Sequence, residues 1–242
     1  MRDSETVSMD YMYMSKKPVG EELFHPILVI KAKISGGVWA LPVTRKGPYI
    51  NNIVKRVVNI LNGVGSPKII IKTDQEPAMI ALQYEIRKEL WAEILDIASR
   101  VKDTREDSDE VMDHVPGGPG GIVILENSPV GESQSNGLVE AAIKEVQGQI
   151  RKLTNQLTDH LQSTVEADSP IGPWLVQYAG QVIYTHKVFK TDGRTARQRI
   201  RADPSVPECP FFAERVLFKP MKNSFHTQTR TQMELSLIHI SE

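Results

Sequence analysis

Three carboxylates are the residues best suited to do chemistry in this chain. Asp10 lies in ETVSMDYMYM, residues 5–14. Asp74 follows the apolar run KIIIKT, in TDQEPA. Glu140 opens a long amphipathic pattern within NSPVGESQSNGLVEAAIKEVQGQIRKL, residues 127–153. In open α/β sheets, sites gather beyond the carboxyl ends of strands. Carboxylates from two neighbouring strands and one adjacent helix would offer the oxygen ligands that Mg2+ takes while it keeps several waters. Two such ions, on the order of 4 Å apart, activate a water or a 3′-hydroxyl and stabilise the leaving oxygen in phosphoryl transfer.

Each acid also has a plain structural use. Glu140 in a first helical turn gains roughly 0.3–1 kcal/mol from the helix macrodipole. Asp74 after a strand can cap the helix that comes next. Asp10 can be an edge-strand charge that limits edge pairing. Pattern and spacing alone therefore reach an α/β domain with a possible metal site.

The elements that must position these residues follow from periodicity. Residues 5–14 read as a strand. Residues 27–31 (ILVIK) and 37–43 (GVWALPV) read as two strands joined by a turn over KISGG, so they pair antiparallel. Ile50, Ile53, Val54, Val57, Val58 and Leu61 share one helical face over 50–61, and Gly63 and Gly65 are expected to end that helix. Residues 68–73 have the composition of a strand buried on both faces. A helical pattern covers 78–99, and IVIL at 122–125 is a short strand. Val139, Ile143, Val146, Ile150, Leu153 and Leu157 recur in three- and four-residue steps, which predicts an amphipathic helix. Another helix is expected over 173–189. Strands first, then helix and strand in alternation, then helices, give a mixed α/β sheet covered by helices.

Composition narrows the function classes. The single cysteine, Cys209, excludes an internal disulfide and a Cys-rich zinc module. The six histidines are scattered, with no pair at metal-ligand spacing. The net charge of −1 is not that of a strongly basic duplex-binding domain. Charge is unevenly spread, with DTREDSDEVMD at 103–113 and KVFKTDGRTARQRIR at 187–201. No apolar run is long enough to cross a bilayer, and MRDSETVSMDYMYMSKK has no signal-peptide core. A soluble, intracellular chain with no membrane partner is the expectation.

IKTDQEPAM together with ENSPVGESQSNGLVEAAIKEVQGQIRKL resembles the integrase catalytic core of retrotransposon Pol polyproteins. The resemblance runs over about residues 5–200. It is most specific around Glu140, where a Ser/Asn/Gly loop, Asn136-Gly137, the acid and the helix coincide. TDQEPA is less specific, and the single Asp10 least. WLVQYAGQVIYTHKVFKTDGRTARQRI resembles the family's next helices, and PFFAERVLFKP resembles the start of the region C-terminal to the core.

The resemblance implies a ribonuclease H-like fold, a mixed five-stranded sheet flanked by helices. It implies that Asp10, Asp74 and Glu140 are catalytic and hold Mg2+ or Mn2+, two ions in the family's mechanism. It implies 3′-end processing and strand transfer, with element ends and target duplex DNA as partners, a homo-oligomer, and action in the nucleus. Asn136, Lys144, Gln147 and Arg151 become candidate DNA contacts, although Lys144 could equally pair with Glu140 four residues earlier. Arg194, Arg197, Arg199 and Arg201 are either further phosphate contacts or a solvated basic turn. A catalytically inactive remnant that binds nucleic acid or protein, and another nuclease of the same fold, are the alternatives.

The sequence departs from the family in places. Asp74 and Glu140 are 66 positions apart (140 minus 74), well above the usual spacing. An acidic, Gly-ended insertion over about 100–121 accounts for the excess, and looping it out costs little closure entropy. The core is expected over 1–201. Residues 202–234 then begin a truncated C-terminal region, with a strand at 215–220. LSLIHISE at 235–242 can be encoded by a transposon-end tag running into sequencing adapter, and is expected to be an artefact. The family's His/Cys zinc module has no counterpart here.

Overall fold

A computed structural model describes residues 4–14, 25–49, 52–103, 122–127, 136–165, 169–205 and 212–213. Five strands and five helices run in the order β1 (Glu5–Met12), β2 (Ile27–Ala32), β3 (Val38–Pro42), α1 (Ile53–Val64), β4 (Lys68–Thr73), α2 (Pro77–Asp103), β5 (Ile122–Asn127), α3 (Gly137–Leu161), α4 (Gly172–His186) and α5 (Ala196–Arg201). One mixed sheet has the order β3-β2-β1-β4-β5. The first three strands form an antiparallel meander, and β4 and β5 add parallel to β1. The expected architecture is the one observed.

The two faces of the sheet can be read from β1. Val7, Met9 and Tyr11 point into a core shared with α1 and α2, through Val57, Leu61, Met79, Leu82 and Ile86. Met12 points the other way, into a core shared with Val146 and Ile150 of α3 and Leu175 and Ala179 of α4. Side chains alternate along a strand, so Ser8 and Asp10 share the α3 face with Met12. In β2 both faces are covered, and every residue from Ile27 to Ala32 is buried. Lys31 is carried inside with them, and its ammonium donates to the Gly36 carbonyl at 2.8 Å.

The second helix layer is incomplete. α3 packs on β1 and β2, and α4 on β3. Over β4 and β5 no helix among the described residues covers that face, and Ile122 is 64% and Ile124 39% exposed. β4 therefore alternates, with Ile69 and Ile71 buried and Ile70 half-buried. This corrects the expectation of a strand buried on both faces: an Ile-rich run records hydrophobicity, not which neighbour covers it.

Other boundaries move for local reasons. Gly63 lies inside α1, and only Gly65 ends it, at φ 66° with its N–H donated to the Asn62 carbonyl. Such a left-handed cap is where glycine is favoured. α2 runs on to Asp103, so residues 100–103 are helical and do not belong to a loop. The rest of the acidic stretch, the expected strand at 215–220 and the 235–242 tail lie outside the described residues.

Candidate active site

The β1–β4 register decides how the first two acids meet. Glu5 pairs with Ile69, Thr6 with Ile70, Val7 with Ile71 and Ser8 with Lys72, a constant offset of 64. Carried two residues further, the same offset brings Asp10 level with Asp74 (10 plus 64). Asp74 stands one residue past β4, and its charge acts on the Asp10 carboxyl, so the two acids are near one another. Their charges interact. Burial pushes the Asp10 carboxyl up to about 6, opposed by the Tyr11 N–H and reinforced by Asp74. The Tyr11 N–H donates to Asp10 Oδ1 at 2.7 Å. Asp74 also does its plain structural work, because Glu76 N–H donates to its Oδ1 at 3.2 Å at the entry to α2.

A cation sits beside this pair. Lys46, in the loop after β3, reaches both carboxylate oxygens of Glu76 at 2.7 and 2.8 Å. Its ammonium lies 5.4 Å from the Tyr11 ring centroid and 5.7 Å from that of Tyr13. The loop is tied down where Gly47 N–H donates to the Tyr11 hydroxyl at 3.0 Å. Lys46 lowers the Asp10 pKa and Glu76 raises it, so both are within electrostatic reach. Sequence reasoning missed all of this. Glu76 stands inside TDQEPA with no role legible there, and Lys46 carries no local signal, because its partner is 30 residues away.

Glu140 occupies the first turn of α3 and is half-buried. Val139, Ala142 and Val146 pack that helix onto the face that carries Asp10. Near the same strand end, Gln147 Nε2 donates to the Tyr13 carbonyl at 3.5 Å, which occupies one of its candidate DNA-reading donors. Asn136 is buried, makes no side-chain cap and has an unpartnered Oδ1. Lys144 and Arg151 are exposed. The local pair of Lys144 with Glu140 does not form among the described residues.

Asp10 and Asp74 are thus brought together, and Glu140 reaches their face of the sheet without joining them. Among the described residues no three His, Cys, Asp or Glu side chains converge closely enough to hold a metal ion. The Asp10–Asp74 pair itself suits a hard divalent cation: all its donors are oxygens, and burial together with the like charge of Asp74 opposes ionisation of Asp10 in the absence of a cation.

The basic turn proves to be internal architecture in part. Arg199 pairs with Asp192 at 2.6 Å and lies 4.0 Å from the Phe189 ring centroid. Arg197 pairs with Asp203 at 3.2 Å. Those two guanidiniums are committed to partners within the fold, Arg199 also donating to the Ile34 carbonyl at 3.3 Å.

Comparison with solved structures places this architecture. A chain of the simian T-cell lymphotropic virus intasome, solved in complex with PP2A regulatory subunit B56 gamma, matches with a TM-score of 0.50 at 15% identity, covering 91% of this chain. The two chains share a fold, a mixed five-stranded sheet flanked by helices. This chain spans 60% of that solved chain. The HTLV-2 integrase catalytic core domain in complex with magnesium, trimeric form, gives a TM-score of 0.45 at 14% identity, over 80% of this chain and 93% of that one. The BIV integrase catalytic core domain gives a TM-score of 0.46 at 12% identity, over 81% of this chain and 93% of that one. No family model and no curated protein sequence matches the chain.

Proposed function

We propose that this chain is a polynucleotidyl transferase core that joins retrotransposon DNA ends to target DNA with the help of divalent metal. The observation that carries the reading is the nearness of Asp10 to Asp74, just beyond the parallel β1–β4 pairing and close enough for their charges to interact, on the face that α3 brings Glu140 to. Asp10 and Asp74 would hold Mg2+ or Mn2+, with Glu140 completing the set. Such ions supply activation of a water or 3′-hydroxyl and stabilisation of the leaving oxygen.

The chain's own residues would bind and orient the nucleic acid. Glu140, Lys144, Gln147 and Arg151 recur at three- and four-residue steps and so share one stripe of α3. Lys144 and Arg151 are exposed on that stripe and are suited to phosphate contact. Among the described residues the face over β4 and β5 is uncovered, which would suit a duplex lying beside the carboxylates. Assembly into a homo-oligomer and action in the nucleus belong to the same proposal. No helix among the described residues is long and apolar enough to cross a membrane.

A second reading, a remnant that binds nucleic acid without cutting it, is favoured by one observation: the three acids do not converge among the described residues. One experiment separates the two. The folded chain is given a branched DNA mimic of the integration product with Mg2+ or Mn2+, beside Glu140→Gln and Asp74→Asn. Cleavage and joining by the wild type, lost in both variants, supports the transferase. A folded wild type that binds the DNA but leaves it intact supports the remnant.

A further inference from the structure

We propose that the groove between α3 and α4 is a second, metal-independent track for the phosphates of nucleic acid. The groove has a volume of about 470 Å³, and its walls carry Lys144, Glu145, Gly148 and Lys152 from α3 and His186 and Lys187 at the end of α4. Its charge is lopsided. The single acid, Glu145, is taken by Lys187 at 2.7 Å. Lys144 and Lys152 are exposed and have no carboxylate partner among the described residues. Three lysines against one glutamate leave a net charge of +2 with histidine neutral.

The geometry favours a linear polyanion over a single anion. Lys144, Gly148 and Lys152 lie on one i, i+4 ridge. Each four-residue step turns about 400°, so the ridge drifts about 40° per step away from the Glu140 stripe, here toward α4. Eight residues at 1.5 Å rise separate the two free lysines by about 12 Å along the axis, too far for one phosphate to bridge. Along one strand of duplex DNA that length holds about three phosphates, at about 3.4 Å each. Between the lysines the wall is low, because Gly148 has no side chain and an added Cβ there would meet nothing within 4 Å. Lys144 joins the track to the candidate active site, one turn from Glu140. A strand leaving the carboxylates therefore meets a continuous basic ridge.

The track rests on the DNA reading proposed for the carboxylate site, and its test is kept apart from catalysis. The whole chain and its Lys152→Ala/Lys187→Ala variant are titrated against a fluorescent random-sequence duplex in EDTA, between 50 and 200 mM KCl. Glu145→Gln/Lys187→Ala/Lys152→Ala is run beside it, so that an unmasked Glu145 is not mistaken for a lost contact, and circular dichroism checks folding. The variants should bind about three- to tenfold more weakly at 100 mM salt, and the slope of log K against log salt should shrink by about 1 to 2. Unchanged affinity and slope overturn the track. Polyglutamate that competes as well as duplex, with the same loss in the variants, overturns the assignment to nucleic acid. If the wild type fails to cut DNA with Mn2+ while the metal-free binding loss persists, the track stands and the catalytic reading falls.

Discussion

Replacing Asp10 by Asn should stabilise the fold at neutral pH while removing the proposed strand-transfer activity. Burial, with Asp74 and Glu76 adding repulsion, raises the Asp10 carboxyl from 3.8 to about 6. In the unfolded chain the group ionises above its ordinary value of about 3.9. Between that value and about 6 the folded state holds a proton that the unfolded state has lost. Wild-type stability therefore falls as pH rises through this window, and the full penalty is present above it. Moving a carboxyl from 3.8 to about 6 corresponds to about 3 kcal/mol. Water still reaches the group, and screening reduces this to about 1–2 kcal/mol. Asn keeps the size and an acceptor for the Tyr11 N–H but carries no charge. Urea or thermal unfolding of both proteins at pH 4 and 7.5 gives the measurement. Near pH 4 the two should be alike. At pH 7.5 the variant should be more stable, by about 2–8 °C in Tm at the usual 2–4 °C per kcal/mol for a domain of this size. Added Mg2+ should raise the wild-type Tm and leave the variant's unchanged. A variant less stable than wild type at pH 7.5, or a difference that does not change with pH, refutes the reasoning.

Single contacts give further expected outcomes. Glu5 is fully buried and accepts the N–H groups of Ile34 and Ser35 at 2.7 and 2.8 Å, so Glu5→Ala should orphan both and lower stability by about 3 kcal/mol, read from denaturant unfolding. A Cβ on Gly180 would stand 2.9 Å from the Ala40 backbone nitrogen, so Gly180→Ala should push α4 off β3 and cost about 1–3 kcal/mol, again by unfolding. Lys46→Ala removes the cation that lowers the Asp10 pKa and frees Glu76, so carboxyl NMR should find Asp10 titrating at higher pH than in the wild type. An unmoved Asp10 titration would show that Lys46 does not act on the site.

The fold is largely legible in the sequence because its signals are local. The apolar and aromatic residues of 5–12, the KISGG turn and the three- and four-step apolar pattern from Val139 to Leu157 each give an element directly, and the turn gives the antiparallel pairing of β2 with β3; the five-stranded order comes with the family resemblance. The hidden part depends on what packs against what. KIIIKT reads as doubly buried, yet its residues alternate between buried and half-buried, because among the described residues no helix covers its second face. The meeting of Asp10 with Asp74 comes from an inter-strand offset that no window of sequence contains. Lys46 and Glu76 meet across 30 residues, and without that contact each is an ordinary surface charge. KVFKTDGRTARQRIR reads as a basic patch by its excess of Lys and Arg, but the turn folds its own Asp192 onto Arg199 and brings Asp203, two residues past its end, onto Arg197.

The central claim is that Glu140 acts with Asp10 and Asp74 as one metal site. Its most direct test is a titration of free Mn2+ by electron paramagnetic resonance against the wild type, Asp10→Asn, Asp74→Asn and Glu140→Gln. The account predicts saturable binding by the wild type and at least about tenfold weaker binding in each of the three variants. Glu140→Gln that binds Mn2+ as the wild type does, while the two aspartate variants do not, would contradict it and leave Glu140 as a helix charge.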